Sequence, residues 1–213
     1  MSSIVGALHR KLVLGRRVRI LADHLCRFLP PNARVLDVGC GDGAIDALIQ
    51  NQRPDVSVEG IDVFVRPSPL MPVRLFDGMT IPYEARSFDI VMFVDALHHM
   101  VDPLVLLREG IRVGKIIVIK DHFRDGFLAD FTLRLMDWVG NAHQGSIPPR
   151  SYWRERQWTD AFRSLGLKVR QLIPSLGLYP SAIAWIFERR LHFIAVIQPE
   201  VMDSSVPAPP ERR

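Results

Sequence analysis

Between residues 33 and 120 the chain alternates two patterns. Short apolar runs cover 34–38, 57–61, 73–76, 88–94 and 115–120, and several are nearly continuous in Val, Ile and Leu. A strand covered on both faces has no polar side to show, so this is the pattern of a buried parallel sheet. Between the runs, 44–50 and 102–112 repeat apolar residues at helical spacing. Strands and helices in alternation predict βαβ units and a doubly wound α/β fold. The stretch 63–72 holds Pro67, Pro69 and Pro72. Proline has no backbone N–H to donate, so the crossover there is predicted to be a loop.

The ends follow other patterns. Over 4–29, Leu8, Leu12, Val18, Leu21, Leu25 and Phe28 fall near one face of a predicted helix. Gly15 weakens its middle by about 1 kcal/mol relative to Ala, and Pro30-Pro31 ends it. Later, 123–139 and 151–165 predict helices, the second with Trp158 and Phe162 on one side, and 146–149 a loop. Two more strands are predicted at 167–173 and 191–197, joined by a connection containing Pro174, Gly177 and Pro180. The segment 199–213, rich in proline and charge, predicts a disordered tail. The expected organisation is a single domain over 1–198, with 1–30 a helical cap and 121–158 a cover beyond the fifth strand.

Composition changes this picture little. The chain has 213 residues, 48% hydrophobic and 23% charged, which suits one ordinary core. Cys26 and Cys40 form no disulfide framework, so a reduced, cytoplasmic protein is expected. The first residues lack the long apolar stretch of a signal peptide, and no run reaches the roughly 18 apolar residues of a membrane span. A net charge of +4 allows weak contact with an acidic membrane surface and argues for no nucleic-acid partner.

The chemistry centres on Val35-Leu36-Asp37-Val38-Gly39-Cys40-Gly41-Asp42-Gly43-Ala44, where a strand runs into three alternating glycines and then a helix. Glycine serves where a backbone takes positive φ or lets a ligand approach. Alone, the loop also fits the permissive dinucleotide pattern through Gly39, Gly41 and Ala44. Three aspartates sharpen it. Asp37 stands two residues before the first glycine, Asp62 closes the second strand, and Asp77-Gly78 follows the third. Asp37 could take a cationic or hydroxylated group, Asp62 the hydroxyls of a ribose, and Asp77 with the Gly78 amide an adenine edge.

The run 36–43 resembles motif I of class I S-adenosyl-L-methionine (SAM) dependent methyltransferases. Residues 76–91, with Asp77, Ile81-Pro82-Tyr83 and Ser87-Phe88-Asp89, are similar to the small-molecule, type 11-like branch, as are Leu97-His98-His99 and Asp102-Pro103. The resemblance spans about 33–120. It implies a Rossmann-like, seven-stranded, mostly parallel sheet whose last strand is antiparallel. It further implies that Asp37 with Gly39, Cys40, Gly41 and Gly43 holds the methionine part of SAM. Asp62 and Val63 would meet the ribose and adenine, Asp77 and Gly78 the adenine edge, and Val94 and Asp95 the floor near the sulfonium.

Methyl transfer from a sulfonium is an in-line displacement, so the protein mainly aligns the partners and excludes water, and a base serves only when the acceptor must lose a proton. The candidates are His98, His99, Asp121 and His122, with His122 oriented by Asp121 or another carboxylate as the leading base. A catechol-type magnesium site would use the places of Asp95 and Asp121, but His122 follows where that pattern has Asn, so no metal is expected. Trp138, Asn141, Tyr152 and Trp153 are candidates for an acceptor-binding cover. The expected activity is methylation of a small organic molecule, aromatic or lipid-like. The alternatives are a nicotinamide-dependent oxidoreductase and a protein of this fold that binds without catalysis.

Overall fold

The computed structural model describes residues 15–141 and 152–200. In chain order the elements are α1 (Gly15–Cys26), β1 (Arg34–Val38), α2 (Ala44–Gln52), β2 (Ser57–Asp62), β3 (Val73–Leu75) and β4 (Phe88–Val94). A 3-10 turn (Leu97–His99), α3 (Pro103–Val113), β5 (Gly114–His122) and α4 (Ala129–Asn141) come next, followed by α5 (Glu155–Ser164), β6 (Leu167–Ile173), α6 (Ser181–Phe187) and β7 (His192–Pro199).

The seven strands form one sheet in the order β3-β2-β1-β4-β5-β7-β6. The first five are parallel, and β7 runs antiparallel between β5 and β6. This is the mostly parallel, doubly wound sheet expected from the sequence. The antiparallel β7 sets it apart from the dinucleotide-binding order 3-2-1-4-5-6, and the oxidoreductase alternative loses its structural basis.

Two apolar layers cover the sheet. One gathers Leu36, Phe93, Ile117, Ile119, Leu107, Trp158 and Phe162, and the other Val35, Ile90, Met92, Val118, Ile49, Leu21 and Leu25. Helix α1 belongs to the second layer and buries Leu21, Ala22 and Leu25. Its last carbonyls lack intrahelical partners, and Arg53, just past α2, donates to the oxygens of Cys26 and Leu29 at 3.1 and 3.0 Å. The expected helix begins at residue 4, but residues 4–14 lie outside the described residues. The 63–72 crossover is a loop, as its prolines dictate.

Several expectations shift. Residues 123–128 are not helical. Phe123 N–H continues the ladder to Leu191 O at 3.1 Å, and Gly126 and Leu128 take positive φ, so α4 starts at Ala129. Helix α5 begins at Glu155 rather than 151, with Arg154 as its N-cap: the Arg154 N–H donates to Gln157 Oε1 at 3.0 Å, and Asp125 accepts the Glu155 N–H at 2.7 Å. The 174–190 connection contains α6. Its sequence, Ser-Ala-Ile-Ala-Trp-Ile-Phe, is apolar on nearly every side and shows no period to read. The tail boundary also moves. Pro199 pairs with Leu167 in the sheet, and Glu200 N–H reaches Gly166 O at 2.8 Å; 201–213 lie outside the described residues.

Candidate active site

The glycine loop joins β1 to α2 with φ of 84°, 65° and 74° at Gly39, Gly41 and Gly43, the left-handed region that a Cβ disfavours. Space is also tight. A Cβ on Gly39 would stand 2.7 Å from the Ala96 Cβ, and one on Gly43 2.4 Å from Met71 Cγ. The loop is wired to β2. Gly39 N–H donates to Ile61 O at 2.8 Å, and Gly41 N–H to Asp62 Oδ2, also at 2.8 Å. The Cys40 side chain tucks against Gly60, where burial raises its thiol pKa, so it remains an unreactive thiol.

Asp62 does two jobs at the end of β2, since its Oδ1 also accepts the Phe64 N–H at 3.0 Å. Asp77 closes a turn by accepting from Met79 and Thr80, each at 2.7 Å, and these bonds hold its carboxyl below the usual range. Gly78 is in contact with Val63, whose Cγ1 would lie 2.9 Å from a Cβ placed there. The fold therefore brings Asp62, Val63, Asp77 and Gly78 to one edge, beside the glycine loop.

Asp37 is 2% exposed, and its Oδ1 has no hydrogen-bond donor among the described residues. Asp46, in the first turn of α2, is wholly buried beside it, and neither of its oxygens has a donor there either. Burial and the second carboxyl raise Asp37 well above the ordinary range, and burial raises Asp46 to about 7.

A second polar cluster lies at the ends of β4 and β5. Val94 is buried, and Asp95 follows it at φ 54°, anchored by its N–H to Lys120 O at 2.8 Å. The two Asp95 carboxylate oxygens accept from the Lys120 ammonium and the Arg17 guanidinium. Lys120 is wholly buried and also meets His192 Nδ1 at 3.5 Å, while His192 Nε2 bonds Phe187 O at 3.1 Å. Neutral His192 protonated at Nε2 satisfies both contacts.

Asp121 Oδ1 accepts from His98 Nδ1 at 2.8 Å, from His122 Nδ1 at 3.2 Å and from the His122 N–H at 2.8 Å. Burial would raise the Asp121 carboxyl, but the two histidines outweigh it and hold it below the ordinary range. Burial, then the Lys120 charge, lowers His122 to about 4, and the same causes depress His192. Burial would also raise Asp95, yet Arg17 and Lys120 keep it well below the ordinary range. The His99 ring lies 4.2 Å from that of His98, and Tyr152 stacks on His98 at 5.2 Å between ring centroids.

The expected residues thus fall in two polar clusters. Asp121 bonds both histidines, at 2.8 Å to His98 and 3.2 Å to His122. Trp153 packs against the main core, and Trp158 donates to His122 O at 3.1 Å. The side chains of Trp138 and Asn141 lie outside the described residues. Asp95, His98 and His122 bring possible metal ligands within 4.8 Å of one another, but Lys120 and Arg17 already occupy the carboxylate and Asp121 engages both imidazoles. This corner supplies its own cation. Residues without an assigned role in the sequence reading, namely Arg17, Asp46, Lys120 and His192, complete both clusters.

A glycine loop at the end of β1, aspartates at the ends of β2 and β3, and a 3214576 strand order define a methyltransferase-type α/β domain. Residues 13–172 match the methyltransferase domain family, and the chain belongs to it. It is 33% identical over 108 residues to 27-O-demethylrifamycin SV methyltransferase of Amycolatopsis mediterranei, covering 44% of this chain and 39% of that protein. It is 34% identical over 106 residues to 2-methyl-6-phytyl-1,4-hydroquinone methyltransferase of Synechocystis, covering 44% and 33%. The chain thus spans under two fifths of the length of these curated relatives. A SAM dependent methyltransferase from Aquifex aeolicus shares the fold, with a TM-score of 0.61, 18% identity, and coverage of 90% of this chain and 97% of that one. No helix among the described residues is long and apolar enough to cross a membrane.

Proposed function

We propose that this protein transfers a methyl group from SAM to a hydroxyl-bearing small organic molecule, with His98 as the base. The carrying observation is the buried His98–Asp121 pair, 2.8 Å apart, next to the glycine loop. Ala96 touches Gly39, so the turn bearing His98 and the loop bearing the cofactor residues are in direct contact.

The residues fit the cofactor. Asp37 offers a buried carboxyl oxygen without a donor, as a ligand ammonium requires. Asp62, Val63, Asp77 and Gly78 would receive the ribose and adenine, and Val94 the region near the sulfonium. When bound, SAM supplies an electrophilic methyl group and a neutral thioether leaving group.

The chain's part is alignment and one proton transfer. With Nδ1–H directed to Asp121, His98 presents Nε2 as its basic atom, and it takes the hydroxyl proton as the acceptor oxygen attacks the methyl carbon. Asp121 fixes the tautomer and stabilises the imidazolium. His122, kept neutral by burial and Lys120, is a positioning residue. Tyr152 stacks on His98, which supports a role for it in orienting that ring. The names of the two relatives, one an O-demethyl compound and one a hydroquinone, support a hydroxylated acceptor.

The test is transfer of a labelled methyl group to a panel of phenols, hydroquinones and aliphatic alcohols. With an acceptor in hand, His98→Ala is expected to lower kcat by roughly 100-fold or more, the lower end of base catalysis, while S-adenosylhomocysteine affinity holds. Asp121→Asn should follow in the same direction. A His98→Ala variant of unchanged kcat would remove His98 from the chemistry.

A further inference from the structure

Asp46 is not part of the motif that identified the loop, and its surroundings are unusual. A first-turn aspartate ordinarily caps its helix or faces water. This one is wholly buried, both oxygens lack a donor among the described residues, and it lies against the equally buried Asp37. Two adjacent carboxylates taken out of water cannot both stay ionised without a cation.

The surroundings supply mainly negative charge. Asp42 in the loop, Asp62 on β2 and Asp95 beyond β4 all act on the pair, and the Cys40 thiol faces it. The Arg66 guanidinium lies over Gly41, its Nε 3.6 Å from where a Cβ there would stand. Lys120 and Arg17 are engaged by Asp95. Helix α1 meets α2 at its other end, where Asp23 and Cys26 both bond Gln52.

We propose that Asp37 and Asp46 share one proton in the free protein, and that the ammonium of the cofactor's methionine end expels this proton when it docks, which makes cofactor affinity rise with pH. The inference rests on the SAM reading above. It makes Asp46 a positioning residue: it touches Asp37, and Asp37 touches the ligand. The balance is simple. One proton leaves the carboxyl pair for solvent and one ammonium takes its place.

The test is calorimetry of S-adenosylhomocysteine into the full chain between pH 5.5 and 7, in two buffers of different ionisation heat. The ligand's own α-amino group stays protonated over this range. Release approaching one proton is expected, with affinity rising up to about tenfold per pH unit. 5′-Methylthioadenosine lacks the ammonium and should release none. Infrared difference spectra should show a protonated carboxyl band that vanishes on S-adenosylhomocysteine binding and persists with methylthioadenosine. In Asp46→Asn the amide can donate to Asp37 without a titrating proton, so release should disappear and the affinity profile flatten. Binding of S-adenosylhomocysteine without proton release by the wild type, or release retained in Asp46→Asn, overturns the inference and leaves the cofactor reading intact. No binding at any pH overturns both. Should the Asn variant fail to fold, the wild-type comparison of the two ligands still decides.

Discussion

Asp37 in β1 and Asp95 after β4 come from neighbouring strands, and both are largely removed from water, yet they are held in opposite states. Asp95 is met by a buried ammonium and a guanidinium and stays ionised. Asp37 is met by a second carboxyl and is pushed toward its neutral form. A buried charge persists only beside a counter-charge. One corner of the molecule carries its cations permanently, on β5 and α1, beside the histidine proposed as the base. The other is the place proposed for a ligand's cation.

The largest effect should come from breaking the resident pair. Lys120→Met keeps the side chain's bulk but leaves Asp95 with Arg17 alone. Loss of one partner of a buried ion pair costs about 3–5 kcal/mol, so the melting temperature should fall by roughly 10 °C. Adding Asp95→Asn, which tolerates the left-handed backbone there, should recover most of the loss. An unchanged melting temperature for Lys120→Met would mean that the ammonium is not the counter-charge.

The two corners should also pull stability in opposite directions with pH. His122 is depressed to about 4 in the folded chain against an ordinary value of 6.5. The unfolded chain binds more protons between these values, so this contribution is full above 6.5 and is lost as pH falls through 4. Asp46 is raised to about 7 from 3.8. Here the folded chain binds more protons, so its contribution is full below 3.8 and is lost as pH rises through 7. Across their windows the first is worth roughly 3 and the second roughly 4 kcal/mol; depressed His192 adds to the first direction and raised Asp37 to the second, so in the wild type the two corners oppose each other. Denaturant titrations of ligand-free protein from pH 4 to 7 should therefore show little slope, and Asp46→Asn should unmask a rise with pH. A variant slope equal to the wild type's would remove Asp46 from the balance.

How much of this was legible in the sequence depends on the distance between partners. The sheet was, because each buried strand carries its own apolar run, and Asp37, Asp62 and Asp77 stand beside strand ends that the pattern marks. Helix α6 was not, since a segment apolar all round has no period. Residues 123–128 looked helical because what holds them otherwise lies later in the chain, Leu191 for Phe123 and Glu155 for Asp125. Asp46 left a trace: it lies three residues before Ile49 and so shares that residue's buried face. His192 left a similar one, a lone polar residue among Leu191, Phe193 and Ile194. What no local pattern could state is that Lys120 would find Asp95, 25 residues earlier, or that Arg17 would find it 78 residues away.

Arg17 sharpens the comparison most finely, because it meets the same carboxylate as Lys120 from a different environment. Its side chain is 25% exposed and sits on α1, whereas Lys120 is fully buried in β5. Water remains an alternative partner for the guanidinium, and solvent screens its charge. Helix α1 is held independently by Leu21, Ala22 and Leu25 and by Arg53 at its end, so loss of the ion pair does not free it. Arg17→Gln should therefore cost about 1 kcal/mol or less, and the loss should shrink in high salt. Lys120→Met should keep its larger deficit at any salt concentration, because no ion or water reaches its place. Equal losses for the two variants would mean that the charge on Asp95, and not the burial of its partner, sets the cost. The contrast between a sealed cation and a ligand's cation would then lose its physical basis.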